Sequence, residues 1–503
     1  MNTENKTPSG GNPVRVGVVL GQGDMESGPL RLLDHLTADA RYEIAGLWQA
    51  DHVPPAHPRL LAIESRLVPL PQVYKPQHWK PEPATALPST PVICDLIVDF
   101  SHNALVLPLA QSAEFGLLRL SAYDEDSGVE AALAGDPATR VKMDHWDSSG
   151  QKTTLANAVY DTKFAAFRNV GYVREKSVQL IIHLLAQLHR DRALPVPEML
   201  PVDEQKNVNF FGYGLRTAQE LGSRIKEKVI VKSGGTPGGF GLRIGTGDVA
   251  NFDPASGIDL PMPKRHFWAD PFLLEHEGKV YCLFEDYDYE RHLGHIGAGI
   301  LTDDGMDYLG RAHVVPHHLS FPYIFKHGGD IWMMPETHQA KRLELWRATK
   351  FPLEWELHST AFEGRGLADS VLFEHADDWW LLTGYCTDGF GDFCGELHLF
   401  RTSGLDMAWM EPHPLNPVVV GADTARLGGR IHKVGDRLLR VSQDNSGGIY
   451  GWGLNVMEIE RLTRDDYVER RIRHITPDFA PGLVGCHHFD CAGGRWIMDV
   501  RRP

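Results

Sequence analysis

The chain has 503 residues, 42% of them hydrophobic and 23% charged, the composition of a soluble globular protein too long for one ordinary core. Its formal net charge is −16 and no basic run marks any segment, which argues against nucleic acid or an anionic membrane as the main partner. No run of about 18 apolar residues suggests an integral membrane segment.

Residues Met1–Pro13 are polar and lack the basic start and apolar centre of a secretory leader, so a cytoplasmic protein is expected. In that reducing compartment the six cysteines read as free thiols. Val14–Leu20 reads as a buried strand, Pro29–Thr37 as a helix and Tyr42–Trp48 as a second strand. Asp95–Phe100 and Phe115–Leu120 follow as strands, and Val173–Leu188 carries apolar residues at helical spacing. The alternation predicts an α/β domain with a largely parallel, Rossmann-like sheet over residues 14–190. Gly21-Gln22-Gly23 follows the first strand, but the next glycine is Gly28. The dinucleotide-binding spacing therefore fails, and no cofactor is expected.

Residues 191–237 read as a linker, Pro-rich at Leu194–Pro201 and Gly-rich at Ser233–Gly241. From residue 238 to 503 the pattern changes to repeated hairpins. Ala269–Glu285, Ser320–Glu336, Ala368–Thr383, Gly428–Arg440 and Gly485–Met498 each read as an apolar strand, a turn with Gly or Asp, and a second apolar strand. Five such units about 50 to 60 residues apart predict a five-bladed β-propeller, with Gly239–Gly245 adding the strand that closes the ring. Nine of the twelve tryptophans follow residue 260, a distribution read first as inter-blade packing and second as sugar stacking. The cluster Cys486-His487-His488-Phe489-Asp490-Cys491 lacks a second ligand pair at zinc spacing. Strand alternation would put His487 and His488 on opposite faces, so no metal is expected.

Two resemblances cover most of the chain. Cys94–Phe100 followed by Glu114–Ser121 falls where formyltransferase domains have a strand and then a histidine-containing loop, so the N-terminal domain resembles a divergent formyltransferase. The matching stretch has neither that histidine nor the loop's proline, and Asp124 or Asp126 could stand in only for the acid. Formyl transfer is therefore not expected. Trp268–Phe272, Leu319–Tyr323, Met334–Thr337, Leu415–Val418, Gln443-Asp444 and Tyr450-Gly451 resemble the N-terminal propeller of plant glucosamine inositolphosphorylceramide transferases. They also resemble the bacterial proteins that fuse this propeller to a formyltransferase-like domain, and more distantly the propellers of arabinanases, xylosidases and invertases.

The repeat register superposes Asp270, Phe321, Asp369, Gly429 and His487 at the axis. Two aspartates from distant blades suit glycoside chemistry, with Glu336 the first candidate for the proton donor and Glu285 the next. In the glycosidases that this half resembles, the acid is a Glu at the start of blade four; here the stretch is Arg426-Leu-Gly-Gly-Arg430. The two arginines suit an anionic ligand or, equally, inter-blade ion pairs. The expectation is a glycan- or glycoconjugate-active protein, of surface-polysaccharide or glycolipid type, working by transfer or hydrolysis. Asp270, Asp369 and Glu336 would be catalytic, and Trp268, Glu285, Arg426, Arg430 and His487 would touch the ligand. The alternative is a catalytically silent glycan-binding or scaffolding protein.

Overall fold

The computed structural model describes residues 12–23, 25–90, 92–197, 208–232 and 238–503. The polar stretch Met1–Gly11 lies outside these residues, as do residues 198–207 and 233–237 of the expected linker. The chain forms two compact units, one of Met1–Tyr213 with Asp388–Phe390 and the other of Gly214–Thr387 with Gly391–Pro503.

The first unit contains β1 (Val14–Gly21), α1 (Ser27–Ala38), β2 (Tyr42–Ala50), α2 (Pro58–Glu64), β3 (Thr85–Ala86), β4 (Leu96–Asp99), β5 (Leu117–Leu120), α3 (Val129–Ala134), β6 (Ala138–Trp146), β7 (Lys152–Asp161) and α4 (Ala166–Asp191). The sheet order is β3-β2-β1-β4-β5-β6-β7. Val14, Val16, Val18 and Val19 of β1 are fully buried, as a central parallel strand covered on both faces requires. The sheet is mixed: β1 to β5 pair in parallel, whereas β6 and β7 form an antiparallel hairpin at one edge. A further helix, α5 (Phe210–Lys232), lies within the 191–237 stretch.

The second unit is a five-bladed propeller. Blades one to four run in chain order, beginning at His266, Ser320, Leu367 and Leu427. Blade five is assembled from both ends of the unit: Phe489–Ala492 and Arg495–Arg501 are its inner strands, and Phe240–Thr246 and Ile258–Asp259 its outer ones. The strand expected to close the ring does so, pairing antiparallel from Phe240↔Arg501 to Thr246↔Arg495. Closure leaves no inner sheet edge open to another chain.

Apolar layers fill the spaces between blades. Leu242, Ile244, Trp268, Leu273, Phe284 and Ile497 form one, and Phe252, Val441, Val456, Phe489, Trp496 and Met498 another. Each large side chain buried there contributes about 2 to 3 kcal/mol. Trp268, expected beside the ligand, belongs to this packing: it lies 4.8 Å from the Phe284 ring and stacks on Tyr308. The bulk of an indole serves the blade interface here.

Candidate active site

The innermost strand of each of the first four blades is broken by a bulge at the same place, where the register jumps from Ala269 to Phe272, Ser320 to Tyr323, Ala368 to Val371 and Leu427 to Ile431. At three of these bulges a non-glycine residue sits in the left-handed region: Asp270 at φ 50°, Phe321 at 44° and Asp369 at 48°. Such conformations cost of order 1–3 kcal/mol each and persist where surrounding structure imposes them. At the fourth, Gly429 adopts φ 157°, and a Cβ there would sit 2.2 Å from the Phe489 carbonyl oxygen. Only glycine lets blades four and five approach so closely. The bulges turn Asp270 and Asp369 into the interior, where both are buried.

A second set of residues, at the ends of the second strands, meets them. Glu285 pairs with Ala269, Glu336 with Ser320, and Asp499 donates its backbone N–H to the His488 carbonyl. All three carboxyls are buried. Asp499 was not anticipated from sequence, yet it organises blade five. Its Oδ1 accepts the backbone N–H groups of His487 and His488 at 2.8 and 2.9 Å, and its Oδ2 accepts the Asp270 N–H at 3.2 Å.

Asp270 lies in a cationic corner. Its Oδ1 is 3.4 Å from His487 Nε2 and 3.6 Å from His488 Nδ1, and its Oδ2 accepts the Phe321 N–H at 3.2 Å. Burial alone would raise this carboxyl, but the rings of His488 and His487, with Arg426, bring it down to about 2. His487 is clasped from its other side by Asp499 Oδ2, 2.6 Å from Nδ1. Burial disfavours the imidazolium; Asp499 and then Asp270 outweigh it and raise the pKa of the ring. His487 and His488 thus face the same carboxylate oxygen, contrary to the alternation expected of a strand, because residues 486–488 precede the regular strand at Phe489.

Donor atoms of Asp270, His487 and Asp499 come within 4.8 Å of one another, the spacing of a metal site. The chemistry of the set does not fit one. Asp499 already receives three backbone N–H groups and the His487 ring, and His487 bridges two carboxylates. His487, its pKa raised by the two carboxylates, lies where a cation would otherwise balance the charge.

Glu285 has the opposite environment. Burial, then repulsion from Asp270, Glu336 and Asp499, raises its carboxyl well above the ordinary range. Its close side-chain neighbour among the described residues is His318, whose Nε2 is 3.3 Å from Oε1. The Gly294 N–H donates to His318 Nδ1 at 3.1 Å, which leaves the ring proton on Nε2, the nitrogen nearer Glu285.

Glu336 and Asp369 share the remaining cation. Arg426 Nε donates to Asp369 Oδ2 at 2.6 Å, and its Nη2 is 3.6 Å from Glu336 Oε2. Gln443 Nε2 also donates to Asp369 Oδ2, at 3.3 Å, and the Asp369 N–H donates to Glu336 Oε2 at the same distance. Burial, with Glu336 and Asp270 adding to it, raises the Asp369 carboxyl well above the ordinary range despite the Arg426 guanidinium beside it. Burial likewise works against ionised Glu336, and the His338 ring at 2.8 Å with Arg426 overcomes it. The Arg426 guanidinium also lies 5.1 Å from the centre of the Tyr450 ring.

Arg430 does not join this group. Nε donates to Asp490 Oδ1 at 2.6 Å, Nη2 to Asp490 Oδ2 at 2.5 Å and to the Leu273 carbonyl at 2.7 Å, and Nη1 to the Ile324 carbonyl at 3.1 Å. One guanidinium therefore ties blades one, two, four and five together. Of the two readings open for this arginine, the geometry matches the inter-blade ion pair. The structure thus brings Asp270, Glu285, Glu336, Asp369, Arg426 and His487 into one electrostatic cluster, and places Trp268 and Arg430 in the scaffold.

The family model described as glucosamine inositolphosphorylceramide transferase 1, N-terminal, matches residues 253–479. The glucosamine inositolphosphorylceramide transferase 1 of Arabidopsis thaliana is 35% identical over 246 residues, 47% of this chain and 32% of that protein. Its counterpart from Oryza sativa subsp. japonica is 34% identical over 251 residues, 47% of this chain and 33% of that protein. The chain thus spans about a third of the length of these curated relatives. Among solved structures, the GH43_1 enzyme from Xanthomonas citri is 11% identical over 47% of this chain and 88% of that one, with a TM-score of 0.33. Asp270, Glu285, Glu336, Asp369 and Arg426 lie inside the family-matched span; His487 and Asp499 lie beyond it.

Proposed function

We propose that the propeller acts on a glycan or glycoconjugate by acid–base chemistry at its axis, as a glycosyl transferase or hydrolase working in the cytoplasm. The observation that carries this reading is the opposed state of two buried carboxyls in one cluster: Asp270 is held ionised by His488 and His487, and Glu285 is held protonated by burial and its acidic neighbours. Glycoside chemistry needs that pair, a carboxylate to act as base or nucleophile and a carboxyl to protonate the departing oxygen. In this assignment Asp270 is the anion and Glu285 the acid, with the His318 ring beside it. Glu336 and Asp369, the other two expected catalytic residues, surround Arg426, and the Glu336 charge adds to the field that raises Glu285. The matches to glucosamine inositolphosphorylceramide transferase 1 support the substrate class, and an anionic glycolipid or surface-polysaccharide precursor is the first to test.

The test is turnover of nucleotide sugars with anionic and neutral glycan acceptors, together with hydrolysis of the same glycans. Asp270→Asn and Glu285→Gln should each lower the rate at least about a hundredfold, the usual contribution of a positioned acid or base. Full activity in both variants would remove these residues from the mechanism. A second reading, a silent glycan-binding or scaffolding protein, is favoured by one observation: the start of blade four offers Arg426 and two glycines where the resembled glycosidases have an acid. Binding measured by calorimetry without product from any donor would select it.

We read the first unit as a divergent formyltransferase-type domain, as in bacterial fusions with this propeller, and without formyl transfer. The parallel β1, β2, β4 and β5 support the fold. Two side chains in the stretch that matches the catalytic loop are taken up by the scaffold: Arg119 Nε donates to Asp99 at 2.8 Å, and Ser121 Oγ accepts the Lys142 N–H at 2.9 Å. Asp124, one of the two acids that follow that stretch, is pushed up to about 6 by burial.

A further inference from the structure

The whole-chain charge conceals a local reversal. Over Phe210–Lys232 the sequence carries five basic residues (Arg216, Arg224, Lys226, Lys228, Lys232) and two acidic ones (Glu220, Glu227), a difference of +3 in a chain of −16. The same helix, α5, exposes large apolar side chains: Phe210 is 53% exposed, Phe211 82%, Leu215 52% and Val229 59%. Phe210, about 100° round the helix from Phe211, meets the His57 ring at 5.1 Å; the other three are not scattered. At 3.6 residues per turn Val229 lies about five whole turns beyond Phe211, and Leu215 one turn beyond it, so all three share one stripe. Ala218 and Gly222, also exposed, fall on that stripe. Tyr213 is about half a turn away and buried, its hydroxyl donating to Glu64 and accepting the Ala166 N–H at 3.0 Å. This contact fixes the rotation of the helix start and leaves the apolar stripe outward.

Exposed Lys226 and Lys232 lie about 60° to either side of the stripe, while Glu220 is about half a turn from it. An apolar stripe edged by lysines suits an anionic lipid surface, where the apolar side chains enter the acyl boundary and the lysines reach phosphate groups. It does not suit a second copy of the helix, since face-to-face packing would set lysine edges together without acidic partners. We propose that α5 docks the protein peripherally on an anionic membrane. This goes beyond the glycan reading and does not depend on it.

The test uses the full chain with vesicles of phosphatidylcholine alone and of phosphatidylcholine with about 30% phosphatidylserine, a surface anionic enough to attract basic segments. The protein should float with the anionic vesicles and not with the neutral ones, and binding should fall several-fold as salt is raised. The double substitution Phe211→Glu with Leu215→Glu should abolish flotation, and Lys226→Glu with Lys232→Glu should weaken it about tenfold, with near-ultraviolet circular dichroism unchanged in both. No flotation of the wild type, or equal flotation with neutral vesicles, would overturn the proposal. A concentration-dependent dimer that Phe211→Glu dissociates, without vesicle binding, would assign the stripe to a second copy instead.

Discussion

Arg426 and Arg430 stand four residues apart on blade four and meet buried carboxylates in different ways. Arg430 satisfies Asp490 with two nitrogens and gives its other donors to backbone carbonyls of blades one and two. Charge there is balanced one to one, and the outcome is a pin through the ring. Around Arg426 the balance is broken: Asp369 and Glu336 share one guanidinium, Asp270 leans on histidines, and Glu285 has only the His318 ring, whose pKa is lowered by burial, beside it among the described residues. A cluster with more acids than cations keeps one of them protonated. The same residue types at the same axis therefore build a clamp in one place and a pair of carboxyls with opposite proton states in the other.

This contrast can be broken most severely at the pin. Arg430→Ala leaves Asp490, which is fully buried, without its counter-charge, and should cost about 3–5 kcal/mol in a urea or thermal unfolding experiment. A loss below about 1 kcal/mol would show that the pin carries little. The next effect is on acid stability. Asp270 is lowered to about 2 in the folded protein, against about 3.9 unfolded. Its contribution of about 2 to 3 kcal/mol is therefore fully present above pH about 4 and lost as the pH falls through 2. Asp270→Asn should flatten unfolding free energy across that window; an unchanged slope would place the acid lability elsewhere. The smallest effect is the most diagnostic. Glu285→Gln replaces a protonated carboxyl by a neutral isostere and should change stability at pH 7 by less than about 1 kcal/mol while abolishing turnover. A large gain in stability would mean that an ionised carboxylate had been removed.

The repeats made the ring legible, because each inner hairpin combines apolar strands with a Gly or Asp turn. The closing strand was legible for the same reason. The β6–β7 hairpin was not read, although Ala138–Trp146 alternates apolar and polar residues over much of its length, since attention to α/β alternation favours parallel strands. At the axis, the first strand of each repeat revealed Asp270 and Asp369. The ends of the second strands held a signal that was used only in part: the first two repeats both finish on glutamate, and extending the fifth by one residue reaches Asp499. What no pattern could reveal is protonation, because the difference between Asp270 and Glu285 arises from neighbours that fold in from other blades. The shared φ near 50° at Asp270, Phe321 and Asp369 is equally invisible in sequence, as neither Asp-Pro, Phe-Pro nor Asp-Ser by itself demands it.

The central claim, that one buried carboxyl on the axis is neutral while its neighbour is charged, is open to direct observation. Infrared spectroscopy of the 503-residue chain at pH 7 should show a buried protonated-carboxyl stretch that loses intensity in Glu285→Gln and keeps it in Asp270→Asn. If the wild type and Glu285→Gln give the same spectrum in that region, Glu285 is ionised and the acid–base assignment fails.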